Sequence, residues 1–459
     1  MQSTVADTAE KVGMPERWQT VWETLARLAR RVPWPLVIII ACSGVAHGFI
    51  VLMDGVYWDS WLIATYLEDR NWHDLSVMFS ENGIPIIAYL HRLMGYVPAP
   101  LFAYRSAAFI LTTLSGILVY AIGRETGFVS RLESLGIALL SLTYPAYQVT
   151  FLVITFPYTL CYCLFLVAVF LSLRSEQSRG RHHLVLRVSA LACFVLFAFW
   201  TKSLLVFYFG FLLLLFLFVW RQRELTLRQV GTWLLPRRLD YVLLPFVFWF
   251  AAEALFPVHG LYENYNRPSF SPMTILFTYF MTIQASINGQ LAETLELFLH
   301  CPAYWIVVGI VILGVYSLMN LIEKSLEHRT KGWLSWQPDG THCKCQPDTV
   351  RPLCDFSMKS TPVEGPTNPY LLFGAGILLL GMSIFPYAAV GKKASLHGYG
   401  TRNALLVALP MAMMITATVR MVFARADGVL SRGGVVLFVL LLGAFILKDG
   451  VNYIHWQAR

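Results

Sequence analysis

Apolar runs of about 20 residues recur along the whole length of this chain. A run of that length crosses a hydrocarbon core as one helix, because the core holds no water to satisfy an open backbone. The chain is therefore read as an all-α polytopic membrane protein. Composition agrees, since 57% of the 459 residues are hydrophobic and 14% are charged, against about a quarter charged in soluble domains. Disordered, collagen-like, coiled-coil and small disulfide-scaffold classes are excluded. Eight cysteines are too sparse for a disulfide framework. The surplus of Lys and Arg gives a net charge of +8, and its placement carries an orientation signal rather than a nucleic-acid signal.

Residues 1–33 lack the apolar segment of a signal peptide. Trp18, Val21, Trp22, Leu25, Leu28 and Val32 recur at helical spacing beside arginines, the pattern of an interfacial amphipathic helix on the cytoplasmic leaflet. Spans are expected at 34–53, 100–123, 133–147, 150–173, 184–201, 203–220, 241–257, 302–320, 370–390, 402–424 and 433–450, about 11 in all. Arg30 and Arg31 before the first span put the N-terminus in the cytoplasm and Asp54 at the outer surface. Under that threading the inner connections carry Arg124/Arg131, Arg174–Arg187, Arg221–Arg238 and the 321–369 loop. Their cation excess over the outer connections is about three to one, in the expected direction. Residues 84–97 are too short and polar to span, so they read as a re-entrant or interfacial helix. Residues 271–300, with Gln284, Asn288, Gln290, Glu293 and Glu296, are placed outside against the membrane. No repeat with a solenoid period and no matched halves of the transporter kind are visible.

Four polar clusters fall on the outer face of this threading. The first, Asp54-Gly-Val-Tyr-Trp58-Asp59-Ser-Trp, sets two carboxylates where the chain leaves the bilayer among aromatics. Partial desolvation there raises carboxylate basicity, as a general base requires. Trp61, Leu62, Thr65, Tyr66, Asp69 and Trp72 follow at helical spacing, the pattern of a membrane-parallel helix that holds Asp59 at fixed depth. In the second cluster, Thr201-Lys202-Ser203, the lysine either snorkels to the interface or serves as counter-charge to a phosphate. The third, Gly260-Leu-Tyr262-Glu263-Asn264-Tyr265-Asn266-Arg267-Pro268, suits stacking on and hydrogen bonding to a sugar. The fourth holds Lys392, Lys393, His397 and Arg402 on the outer side, against the positive-inside trend, which points to an anionic ligand. Arg402 is expected to open a helix, so its guanidinium and the helix N-terminus can share one phosphate. Carboxylates would deprotonate an acceptor hydroxyl while the cations stabilise a phosphate leaving group.

With these residues the chain resembles the GT-C superfamily of integral-membrane glycosyltransferases. The resemblance rests on Asp54 and Asp59 in the first outer loop, the helix after it, the many-span body, the GLYENYNRP loop and the FPYAAVGKK…GYGTRN stretch. It implies a GT-C-like catalytic module over 34–320 with outer loops 54–99 and 258–301, and C-terminal helices over 370–459 with a basic outer loop 391–402. It further implies inverting transfer from a polyprenyl-phosphate sugar donor to a glycan, lipid or protein acceptor on the extracytoplasmic face of the cell (inner) membrane. By the family pattern the loop-one acid is a general base or a metal ligand; Asp54 and Asp59 share that assignment, Asp59 preferred. Here the two acids are spaced D-x4-D rather than adjacent, and no His/Asp pair stands at metal-ligand spacing. The family varies in its need for a divalent cation (Mg or Mn), and no organic cofactor is implied. Lys202, Lys392, Lys393, His397 and Arg402 are the expected donor-phosphate ligands. Trp58, Tyr262, Glu263, Tyr265, Asn266 and Arg267 are the expected sugar or acceptor ligands.

Other motifs carry less. His342, Cys343, Cys345 and Cys354 lack the C-x2-C pairs of zinc sites. No phosphate-binding loop or nucleotide fingerprint appears, which excludes an ATP-driven pump. Two alternatives to transfer remain: a transporter or flippase for a lipid-linked glycan, and a membrane acyltransferase or ligase built on His397 and Lys392/Lys393. Arg105, Glu253, Arg420 and Lys448 lie near span ends, which favours a surface site over a conduction path.

Overall fold

The computed structural model describes residues 33–223, 238–264, 267–268, 271–300, 368–423 and 432–458. The 1–33 amphipathic segment except its last residue, the 302–320 span and nearly all of the 321–369 loop lie outside the described residues, as do Tyr265 and Asn266. Among the described residues every regular element is a helix. Seven helices are long and apolar enough to cross a membrane: Trp34–Leu52, Pro100–Thr126, Val153–Gln177, Gly180–Trp200, Ser203–Trp220, Pro369–Ala389 and Gly433–Gln457. A multi-pass membrane protein is thus the architecture.

In chain order the α-helices are α1 (Trp34–His47), α2 (Ser60–Glu68), α3 (Trp72–Glu81), α4 (Ile86–Gly95), α5 (Pro100–Thr126), α6 (Arg131–Thr143) and α7 (Phe156–Gln177). Then follow α8 (Gly180–Leu196), α9 (Ser203–Arg223), α10 (Leu239–Leu255), α11 (Pro272–Ile283), α12 (Gln290–His300), α13 (Pro369–Ala389), α14 (Ala408–Phe423) and α15 (Arg432–Gln457). Local chemistry sets the boundaries. Ser130 and Glu133 form a reciprocal capping box that starts α6, and Gly127, at φ +62°, ends α5 in the left-handed conformation. Asn71, Ser271 and Asn368 cap α3, α11 and α13 with their side chains. Helices in lipid associate by close packing rather than by the hydrophobic effect. Gly376 shows this, since a Cβ there would meet Met414 Cγ at 2.6 Å and so hold α13 off α14.

One apolar core runs through the long helices. A smaller one joins α2, α3, α4 and the start of α5 through Ile63, Leu75, Ile87 and Tyr104. The expected helix in the first loop is present, and it is one of three short helices there. A third cluster, Ile50, Met53, Val149, Phe151, Leu152, Tyr453 and Trp456, ties the start of that loop to the end of α15.

Two expectations need correction. The stretch 144–155, divided in the sequence between the ends of two spans, carries no α-helix and is buried as irregular chain plus a short 3₁₀ turn. Arg402 does not open a helix: it sits inside a 3₁₀ turn, Tyr399–Ala404, and α14 begins only at Ala408. Residues 271–300 are two-faced. Thr278, Thr282, Ser286 and Gln290 are buried against neighbouring helices and Glu293 reaches Lys448 of α15 at 2.5 Å. Gln284, Asn288 and Glu296, with Met273, Leu276, Phe280 and Leu299, are exposed, and the π-turn Gln284–Gly289 interrupts the helix.

Candidate functional site

The chain leaves α1 through a 3₁₀ turn, Gly48–Leu52, and enters a non-helical loop that ends at the α2 N-terminus. Arg105 of α5 is buried and its Nη2 donates to the Gly55 carbonyl at 2.6 Å, fixing the loop from below. Tyr57 packs edge-on to Phe151 and Trp456 at 5.8 and 5.4 Å. Trp58 stands at φ +54°, a costly conformation for a bulky residue. The turn leaves its indole 53% exposed and stacked on Tyr399 at 5.6 Å and 17°. The Arg402 guanidinium lies over the other end of this pair, 3.9 Å from the Tyr399 ring centroid. Residues 58, 399 and 402 thus form a short ladder that joins the acidic first loop to the basic one.

Beside this ladder is a cleft of about 720 Å³ lined by Asp54, Tyr57, Trp58, Trp61, Trp456 and Gln457, a volume in the usual range for small-ligand sites. The two acids have different roles available. Asp54 is exposed, and Gln457 Nε2 donates to its Oδ1 at 2.5 Å. That hydrogen bond, its own backbone and the Arg105 charge hold its carboxyl below the usual carboxylate range. The raised basicity expected of a desolvated loop-one acid is therefore reversed at Asp54, because it is solvated and hydrogen-bonded as the anion. Asp59 is exposed at the N-cap of α2, makes no capping bond, and has no hydrogen-bond or ion-pair partner among the described residues.

The basic loop is pinned from several sides. Gln148 and Gln290 both donate to the Leu396 carbonyl, at 3.0 and 2.8 Å, and Asn403 donates to the Lys393 carbonyl at 3.0 Å. Lys392 is half-buried, while Lys393 extends over the Phe277 ring at 5.9 Å. His397 Nε2 meets Glu293 Oε1 at 2.7 Å, and the other oxygen of Glu293 takes Lys448. His397 is thus turned toward a carboxylate and not held ready for a phosphate. Lys202 is also paired: Glu253 holds its ammonium at 2.6 Å, with Trp249 beneath it at 5.4 Å, and both side chains of the pair remain partly exposed.

The 260–268 loop leans on a different neighbour. The backbone amides of His259 and Leu261 donate to the carbonyl and carboxylate of Glu81 at the end of α3, at 3.0 and 3.3 Å. Glu263 and Arg267 are exposed, Tyr262 is half-buried, and Arg267 donates to Asn264 at 3.4 Å. Among the described residues this loop supplies none of the cleft's lining. Tyr399, Trp456, Gln457 and Arg105 were missed as site residues. Tyr399 stood inside the quoted basic stretch, and an aromatic-amide pair in the last turn of a span was the available signal for Trp456 and Gln457.

Among the described residues no group of three or more His, Cys, Asp and Glu is placed to hold a metal. Asp54 and Asp59 are the carboxylates in the loop, and Mg²⁺ is commonly held by one or two carboxylates together with substrate phosphates. No family model, no curated protein and no solved structure matches this chain.

Proposed function

We propose that the chain is a membrane glycosyltransferase that moves a sugar from a polyprenyl-phosphate donor to a hydroxyl acceptor on a glycan, lipid or protein, with inversion. The observation that carries this reading is the Trp58–Tyr399–Arg402 ladder, which joins a carboxylate loop to a cationic loop next to an aromatic cleft. Asp54 and Trp58 line that cleft, while Asp59, Lys392, Lys393 and Arg402 are not among its lining residues. Asp59 takes the proton of the acceptor hydroxyl. The hydroxyl oxygen attacks the anomeric carbon from the face opposite the phosphate, and the carbon–oxygen bond to polyprenyl phosphate breaks with its electron pair. Arg402, with Lys392 and Lys393 on the same loop, meets the charge that develops on the departing phosphate. Trp58, held in place by its stack on Tyr399, and Trp61 line the cleft and offer flat apolar faces for the sugar ring. Asp54, held as the anion by Gln457, shapes the loop rather than accepting the proton. A divalent cation at the two carboxylates would add charge to the phosphate side. The cleft is read as extracytoplasmic, in the cell (inner) membrane, from the distribution of cations along the chain.

Transfer of label from radiolabelled polyprenyl-phosphate sugars, assayed on the purified chain and on Asp59→Asn, tests this. Turnover by the wild type and its loss in the variant with donor binding retained is the expected result. Unchanged turnover in Asp59→Asn removes the acid–base proposal as assigned, and loss in Asp54→Asn instead moves the base to Asp54.

A second reading, a transporter of a lipid-linked glycan, is favoured by one feature: irregular chain at 144–155 and the charged residues Glu293, Lys448 and Asp449 lie among the helices. Movement of a fluorescent lipid-linked sugar across proteoliposomes without any glycosidic product selects that reading.

A further inference from the structure

A second cavity lies deeper in the bundle, separated from the cleft by the layer of Tyr453, Phe151 and Trp456. Its volume is about 70 Å³, room for on the order of five water molecules at ~10–15 Å³ each. His47, Tyr144, Tyr147, Thr150, Thr159 and Asp449 are among the residues that line it. Asp449 is 5% exposed and its Oδ2 has no hydrogen-bond partner. The Tyr147 hydroxyl is turned toward Thr159, 4% exposed, and toward Thr155, without a well-aligned hydrogen bond to either oxygen. A buried carboxylate needs a compensating charge or it is not stable as the anion. The neighbouring ammonium does not supply one by contact, because Lys448 is engaged by Glu293 at 2.5 Å.

The remaining chemistry is narrow. His47 has both ring nitrogens in use, one with Tyr453 Oη at 2.8 Å and one with the Leu142 carbonyl at 2.7 Å. What lines the cavity with spare acceptor capacity is oxygen: the Asp449 carboxylate, whose Oδ2 has no partner, and the hydroxyls of Tyr147, Thr150 and Thr159, the Thr150 hydroxyl donating to the Tyr147 carbonyl at 3.4 Å. Oxygen donors select hard cations, and a single carboxylate is too little charge for a protein-held Ca²⁺. The non-helical chain 144–155 supplies Tyr147 and Thr150 to the cavity. Irregular backbone at membrane depth persists where it lines a cavity, and unwound segments of this kind coordinate Na⁺ in membrane carriers.

We propose that Asp449, Tyr147, Thr150 and Thr159 form a binding site for a sodium ion inside the helical bundle. The site does not depend on the transfer reaction. It stands two helical turns along α15 from Gln457, about 12 Å at 1.5 Å per residue, so occupancy bears on the same helix that holds Asp54.

The test uses the purified full-length chain in detergent. Its thermal unfolding midpoint is measured while NaCl replaces choline chloride at constant ionic strength, and ²²Na⁺ retention is measured in parallel. The expected result is a midpoint that rises and saturates with Na⁺, and ²²Na⁺ retention displaced by unlabelled Na⁺. Asp449→Asn abolishes both, and Thr159→Val or Tyr147→Phe weakens Na⁺ affinity on the order of tenfold, the loss of one oxygen ligand. If Asp449→Asn does not fold, the wild-type titration and the two milder variants decide the matter. Identical midpoints in Na⁺ and choline with no displaceable ²²Na⁺ overturn the proposal, as does a Na⁺ response that survives in all folded variants. Because the readout is binding, its failure leaves the transfer reading standing, and failure of the transfer assay leaves this one standing.

Discussion

The two ends of the bundle use charge differently. At the end away from the first loop, arginines meet acids from neighbouring helices. Arg238 forks onto Glu176 with 2.7 and 2.8 Å bonds, Arg187 pairs with Asp240 at 2.5 Å, Arg174 with Glu125 at 3.0 Å, and Arg420 with Glu133. These pairs are closed and mutually neutral, and each ties two helices or a helix to its flanking chain. At the loop-one end, Asp59 has no such partner among the described residues, and Arg402 and Lys393 lie over aromatic rings. Lys202 and His397 at that same end follow the closed pattern instead. An excess of cations on one side therefore does not mark a ligand site by itself. Aromatic stacking does not separate the two ends either, since Arg174, Arg187 and Lys202 lie over rings and are ion-paired as well. What sets the loop-one end apart is the Asp59 carboxylate, without an ion pair among the described residues.

The largest effect that tests this contrast is on chemistry. Asp59→Asn is expected to lower sugar transfer by about 10²–10⁴-fold, the usual yield of a general base, while the unfolding midpoint stays at the wild-type value. A midpoint that falls with the activity would place Asp59 among the structural acids. At the opposite end the dependence should invert. Glu176→Ala leaves the Arg238 guanidinium, 9% exposed in its side chain, without its partner and is expected to cost about 3–5 kcal/mol. Denaturant unfolding of the purified chain measures that loss, and the transfer rate per folded molecule should not change.

A smaller effect is expected for the ladder. Tyr399→Leu removes the ring shared by Trp58 and Arg402, a contact of about 0.5–2 kcal/mol, so KM for the donor should rise while kcat is kept. A selective fall in kcat would assign Tyr399 to the chemical step instead. The smallest effect is electrostatic. Because the folded carboxyl of Asp54 is held below 3.8, its ionised form stabilises the fold above that value, and the contribution is lost as pH falls through the lowered pKa. Gln457→Leu should move the Asp54 titration back up and flatten this acid limb in the pH dependence of the unfolding midpoint. An unchanged limb would mean that Arg105 rather than Gln457 governs the carboxyl.

The comparison also shows where sequence reading stops. The long helices follow from hydropathy because crossing lipid demands a continuous apolar run with internal hydrogen bonds. Of the three short helices before α5, α2 is signalled by helical spacing after Asp59 and α4 by the short stretch 84–97, whereas α3, which starts at its Asn71 cap, was not separated from α2. The stretch 144–155 was misread for a physical reason: hydropathy reports burial, and a buried irregular segment scores like a buried helix. Within 271–300 local sequence does not separate the polar residues that stay exposed, Gln284, Asn288 and Glu296, from those paired inside. Gln290 and Glu293 look like a solvated face, but their partners are the Leu396 carbonyl and Lys448, more than 100 residues away in the chain.

The candidate site divides along the same line. Asp54, Asp59, Trp58, Lys393 and Arg402 are legible because charges and aromatics in short connections between apolar runs are uncommon and have a cost near lipid. What Lys202 or His397 faces is not legible, since a side chain's partner depends on how each helix is rotated and which neighbour it meets. The amino-acid order alone determined a many-helix membrane body with its polar residues gathered in particular connections. Only the tertiary packing decided that residue 58 stacks on residue 399, that Gln457 grips Asp54, and that Asp449 faces a cavity with an unsatisfied oxygen. The reason is that a helix in lipid is specified by local composition, whereas a polar contact inside the bundle is specified by long-range close packing, which no local window of sequence contains.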